Sequence, residues 1–170
     1  MDKCIRLTAA VGIAMAAGVP WVNAQSAPRH AGPENSVTVE HADLVLPSSN
    51  PKTAAGYVTI WNGSQLQKNL VAVESDVFAS ATLQRTAVDE NGVEVAAAVD
   101  GARIPGHAEL LMQAGGIHIT LMNPRRSVRP GDQTKLTLVF EDQSSVTALA
   151  TVRPAGWKLN HHHGEPDRLD

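Results

Sequence analysis

The chain has little cysteine, and the one it has sits where it can serve no folded domain. Cys4 is the only cysteine in 170 residues, which excludes a disulfide framework and a thiolate metal site. Any soft metal ligand must therefore be methionine or histidine. Charge of one sign is also missing: 14 Lys and Arg stand against 17 Asp and Glu, a net charge of −3, and no basic run occurs. Such a balance argues against nucleic acid and against anionic membrane surfaces as partners. The longest apolar run, Leu7–Val19, is too short to span a bilayer. No G-x-S-x-G elbow, H-E-x-x-H helix or phosphate-binding glycine loop is present, and no enzyme is expected.

The apolar run is the middle of an export signal. Lys3 and Arg6 precede it, and Val22-Asn23-Ala24 places small residues at the positions a signal peptidase inspects. Residues 1–24 are expected to be cleaved near Ala24, with no stable membrane insertion afterwards. Cys4 precedes the apolar run, so it cannot be a lipoprotein attachment site and leaves with the signal. The implied compartment is periplasmic or secreted. Residues 25–35, rich in Pro, Ser, Ala and Gly, read as a disordered lead-in. Residues 36–153 read as one domain, and residues 154–170 as a flexible histidine-containing tail.

Within the domain, short β-branched runs alternate with turn signals. Val37–Val39, Leu44–Leu46, Tyr57–Trp61, Leu70–Val73, Ala81–Val88, Val93–Val99, Glu109–Met112, Ile117–Met122, Leu136–Phe140 and Val146–Val152 are the strand candidates. Asn62-Gly63 and Asp89-Glu-Asn-Gly92 mark tight turns. The rhythm is about eight or nine short strands with no sustained helical period, and it predicts an all-β, antiparallel sandwich.

Ala54-Ala-Gly-Tyr-Val-Thr-Ile-Trp-Asn-Gly63 resembles the corresponding strand of the periplasmic copper chaperones of the PCu(A)C type. The likeness continues through Leu70-Val71, Asp89–Val93, Ile104-Pro-Gly106, Gly115-Gly-Ile-His118, Leu121-Met122, Arg129-Pro-Gly-Asp132 and Leu136–Phe140. It implies a cupredoxin-like β-sandwich over about residues 36–153. It also implies a copper site made of a His, a Met eleven positions on, and a His-x-Met pair twenty-two positions further. Counted back from His118, those spacings fall on Arg85, Ala96, His118 and Thr120. Only the histidine survives. A Cu(I) cage needs several soft donors, so Cu(I) binding at the sandwich is expected to be weak.

Two sets of candidate ligands remain. His118 and Met122, four apart on one strand, point to the same face with Thr120 between them. The alternative for both is a hydrogen-bonded strand histidine and a packing methionine. Met112, at a position where the family usually has leucine, reads as core, and His107 as a turn residue. His161, His162 and His163, followed by Glu165 and Asp167, form the second set; adjacent imidazoles without sulfur suit Cu(II). The resemblance implies a copper chaperone that binds or delivers copper, with a cytochrome oxidase subunit or assembly factor as receiver. The rival reading is a divergent member that has lost the Cu(I) site and serves as a protein-binding or assembly module.

Overall fold

The structure, a computed structural model, describes residues 35–48, 50 and 52–157. The signal segment, most of the lead-in and the tail from residue 158, with His161, His162 and His163, lie outside the described residues.

Among the described residues ten strands form: β1 Val37–Val45, β2 Thr53–Asn62, β3 Lys68–Ser75, β4 Phe78–Val88, β5 Glu94–Ala98, β6 Ala102–Ile104, β7 Ala108–Leu111, β8 Ile117–Pro124, β9 Gln133–Phe140 and β10 Ser145–Arg153. Their hydrogen-bonded order is β5-β4-β8-β2-β1-β10-β9-β3-β6, with β7 also paired to β2. The ladder folds over on itself. Val58, Ile60, Ile119 and Leu121 from the β4-β8-β2-β1 half share one buried cluster with Leu70, Leu136, Leu138 and Phe140 from the β10-β9-β3-β6 half. The result is the β-sandwich that the strand rhythm and the resemblance implied.

Two details differ from the sequence reading. The runs Val37–Val39 and Leu44–Leu46 belong to one strand, which continues through Glu40 and His41 by means of a bulge between Val39 and His41. The extra residue of a bulge breaks the alternation on which strand reading depends. One pairing is parallel: β1 meets β10 through Asp43↔Thr151, Leu44↔Val152 and Val45↔Arg153. All other pairings are antiparallel. No local turn dictates that contact, because it joins the two ends of the domain.

Alternation decides what each strand buries. On β8, Ile117, Ile119 and Leu121 enter the core while His118, Thr120 and Met122 point outward. On β2, Ala54, Gly56, Val58 and Ile60 are buried. Gly56 lets the strands pack closely: a Cβ there would lie 3.1 Å from both Ile119 Cβ and Leu121 Cδ1, so those side chains would have to give by a few tenths of an ångström. Met112 is fully buried, as its core reading anticipated.

Candidate metal centre

β7 and β8 are one strand line along β2, interrupted by residues 112–116. The excursion is closed by Gln113 N donating to Ile117 O at 3.0 Å and Gly116 N to Gln113 O at 3.1 Å. Gly115 supplies the positive φ of 76° that the turn needs. His118 follows directly. Its Nδ1 lies 3.2 Å from Gly116 O. A carbonyl only accepts, so Nδ1 is the donor in this contact, and in the neutral ring it is Nε2 that carries the lone pair a metal can use.

Register fixes what surrounds the ring. His118 stands directly across from Gln84 of β4, and Thr120 across from Thr82. On the other flank Thr120 pairs with Ala55 and Met122 with Thr53 of β2. Thr120 Oγ1 donates to Gln84 Oε1 at 2.8 Å, tying down the side chain of the residue paired with His118. A cleft of about 440 Å³ opens over this face. His118, Tyr57, Thr86 and Thr120 line it, with Ala114 and Gly115 on one rim and Ala155 and Gly156 on another. Burial pushes the Tyr57 phenol above its usual range, so at neutral pH it offers a hydroxyl and not a phenolate.

The C-terminal rim is pinned in place. Asp43 is buried, at 7% exposure, and a buried carboxylate needs a cation. Arg153 supplies one, Nε to Oδ1 at 2.8 Å. The same guanidinium lies 4.9 Å from the centre of the Trp157 ring. The chain therefore leaves the described region beside the cleft that holds His118.

The spacing-derived cage positions divide in two. Thr120 lies on the face of His118, and so does Ala96, which pairs with Thr86. Arg85 does not: it pairs with Ile117, so its side chain emerges from the opposite face. The β4 residue that faces His118 is Gln84. Linear spacing missed this by one residue, and on a strand one residue reverses the face. The parity of Leu83, which is buried, was the signal that would have selected Gln84.

Met122 shares the outer face, yet its Cα lies about 13 Å along the strand from that of His118 at about 3.3 Å per residue. It is 44% exposed and does not line the cleft. The structure thus brings His118 and Thr120 together and leaves Met122 apart. Among the described residues no group of three or more His, Cys, Asp or Glu could hold a metal. The cleft offers one imidazole among the hydroxyls of Thr53, Tyr57, Thr86 and Thr120, and these hard neutral oxygens do not fit a Cu(I) cage.

The cupredoxin-like β-sandwich is the fold of PCuAC-type domains. Residues 37–152 match the family model of LpqE-like proteins, and the chain belongs to that family. The copper-bound PCuAC domain from PmoF2 is 24% identical at a TM-score of 0.59, covering 74% of this chain and 98% of that one. The apo PCuAC domain from PmoF1 is 26% identical at 0.58, with 74% and 99% covered. The Cu(I) form of DR1885 from Deinococcus radiodurans is 26% identical at 0.56, with 76% and 85% covered. No curated protein matches the chain.

Proposed function

We propose that the chain is an exported copper-handling protein of the chaperone type, working in the periplasm or outside the cell. In this reading the sandwich holds metal through His118 alone, and the C-terminal histidines supply the other ligands. The observation that carries it is the shape of the cleft. The Ala155-Gly156 turn lines it, and His161, His162 and His163 follow Trp157 by four to six residues. Four extended residues reach about 13 Å, enough to return an imidazole to the cleft mouth. Imidazole-rich, sulfur-free ligation favours Cu(II). Copper as cargo is supported by the solved neighbours, which are copper-binding domains. A copper-receiving protein such as a cytochrome oxidase subunit or assembly factor would take it up.

Export is supported by the signal-like start, Lys3 to Ala24. Among the described residues no helix is long and apolar enough to cross a membrane. Mechanistically the role asks for binding and release, not catalysis. A site with one anchored ligand and several from a tail releases its cargo easily, because no rigid shell fixes the full set.

The test is Cu(II) titration of three proteins by calorimetry and electron paramagnetic resonance: the exported chain, the chain ended after Trp157, and His118→Ala. Truncation is expected to abolish tight binding while leaving the thermal midpoint nearly unchanged, since Arg153 and Trp157 are kept. His118→Ala is expected to weaken binding and alter the nitrogen hyperfine pattern. Tight stoichiometric binding by the truncated protein overturns the proposal.

A second reading, a protein-binding or assembly module without a metal, is favoured by one observation. Gln84, Ala96 and Thr120 surround His118 without a single sulfur. Failure of all three proteins to bind Cu(II) or Cu(I) would select it.

A further inference from the structure

Among the described residues the strand order ends at β5 and β6, and these two end strands are built differently. β6 has three residues, with Ala102 and Ile104 buried in the core and exposed Arg103 between them. The Ile104 carbonyl accepts from Asn62 Nδ2 at 3.1 Å. A very short, charged, tied-down strand is a protected edge. β5 runs Glu94-Val-Ala-Ala-Ala98, and every residue of it is exposed. It contains no proline, no lysine and one charge, and its register with β4 continues without a bulge from Val88↔Glu94 to Gln84↔Ala98. None of the usual protections is present. Three of the exposed large hydrophobic residues, Val88, Val93 and Val95, sit on this same hairpin.

The edge is also held ready. Asp89 Oδ1 accepts from Asn91 N and Val93 N at 2.8 Å each, and Gly92 takes a φ of 79°, so the β4–β5 turn is closed by its own side chain. Asp89 N donates to Val93 O and Val99 N to Leu83 O. In an antiparallel pair such bonds alternate, so the odd-numbered residues of β5 bond to β4. The N–H and C=O groups of Glu94, Ala96 and Ala98 point away from β4, toward the open side.

Those three residues are symmetric about Ala96, and this matters for what can pair with them. We infer that β5 is a self-pairing edge, at which two copies of this chain join antiparallel about Ala96 into a two-fold dimer with one continuous sheet. In that register Ala96 meets Ala96 of the second copy and Glu94 meets its Ala98. All three outward donors and three outward acceptors of each chain are then satisfied, making six hydrogen bonds. Shifting the register leaves some of them unpaired. The side chains agree with the backbone: the two glutamates lie opposite alanines, about 13 Å apart along the strand, so like charges do not face each other. On the reverse face each Val95 covers Ala97 of the second copy.

A five-residue edge of small side chains buries less than the ~800 Å² per partner of a standard interface. The dimer is therefore weak and concentration-dependent. Its two-fold axis is perpendicular to the sheet, so both His118 clefts open on the same side. They are separated by five interstrand steps, about 24 Å across the strands, and offset by about 13 Å along them.

Sedimentation velocity of the exported chain over a wide concentration range tests this, together with three substitutions at exposed positions. Ala98→Lys sets a lysine opposite each Glu94 and is expected to tighten the dimer roughly tenfold, since two cross-strand pairs form. Ala98→Glu sets like charges opposite and should weaken it by a similar factor. Ala96→Pro removes a donor that faces outward, at an edge position where proline is tolerated, and should leave a folded monomer. Circular dichroism confirms that each variant keeps the sandwich. A chain that stays monomeric at millimolar concentration, or a dimer unaffected by Ala96→Pro, overturns the inference. Ala98→Lys and Ala98→Glu acting alike also overturns it, because it excludes this register.

Discussion

Successive residues of β8 sit in opposite environments. Ile117, Ile119 and Leu121 are packed into the core, while His118, Thr120 and Met122 are half-buried or exposed on the outer face. The inner residues are held by close packing: Ile119 and Leu121 are fully buried and both press on Gly56. The outer residues bear little packing. Thr120 is fixed by one hydrogen bond to Gln84, His118 by one contact with a carbonyl, and Met122 projects into solvent. A strand built this way can lose its ligands while keeping its fold, since the two properties reside on alternate residues. That accounts for a chain that shares the fold of PCuAC-type domains along nearly all its described length while the outer face around His118 carries no sulfur ligand beside it.

Substitutions on the two faces should therefore separate cleanly. The largest effect belongs to the inner face. Ile119→Ala should lower unfolding stability by about 3 kcal/mol, read by denaturant titration, with metal affinity per folded molecule unchanged. A change below about 1 kcal/mol would mean the two faces are not partitioned as described.

On the outer face the comparison can be reversed by restoring soft ligands. Gln84→His, Ala96→Met and Thr120→Met together should raise Cu(I) affinity by roughly a hundredfold or more, measured by competition with a chromogenic chelator. The same triple with Arg85→His in place of Gln84→His should gain far less, because residue 85 emerges on the other face. Equal gains from the two triples would contradict the β4–β8 register.

Thr120→Val tests the outer face at its weakest point. It removes the hydroxyl that holds Gln84 and should cost about 1 kcal/mol or less. The Gln84 amide should also become more mobile by nuclear magnetic resonance relaxation.

The smallest effect lies away from both faces. Lys68 beside Asp142, helped by Ser144, holds the Asp142 carboxyl down to about 2 from its ordinary 3.8. A depressed folded-state value means the stabilisation is complete above about pH 4 and is lost as pH falls toward 2. Lys68→Met should flatten that acid limb slightly, as expected for an exposed pair, without touching metal binding. An unchanged acid limb would remove Asp142 from the account.

Much of this was legible in the residues. The turn signal at Asp89–Gly92 closes the β4–β5 hairpin as expected, and the β-branched runs specify strands, because those patterns have local physical causes. Asn62-Gly63 does not form the expected tight turn: β2 runs through Asn62 and the chain crosses to β3, which pairs with β6 and β9. Inner and outer parity on β8 follows from Ile117, Ile119 and Leu121 alone. The bulge after Val39 and the burial of Asp43 were not legible. A bulge has no fixed residue signature, and Asp43 is tolerated inside only because Arg153, 110 residues away, comes to meet it.

By itself, then, the sequence determined the class of fold and where most strands fall along the chain, since both depend on period-2 burial and local turn chemistry. The tertiary structure alone decided that Gln84 and not Arg85 faces His118. It also decided that Met122 stands clear of the cleft, that the C-terminal turn forms the cleft rim, and that β5 is left at an open edge. Those are matters of register and strand order, and register is set by which distant strands pair, a choice the chain makes only when its core closes.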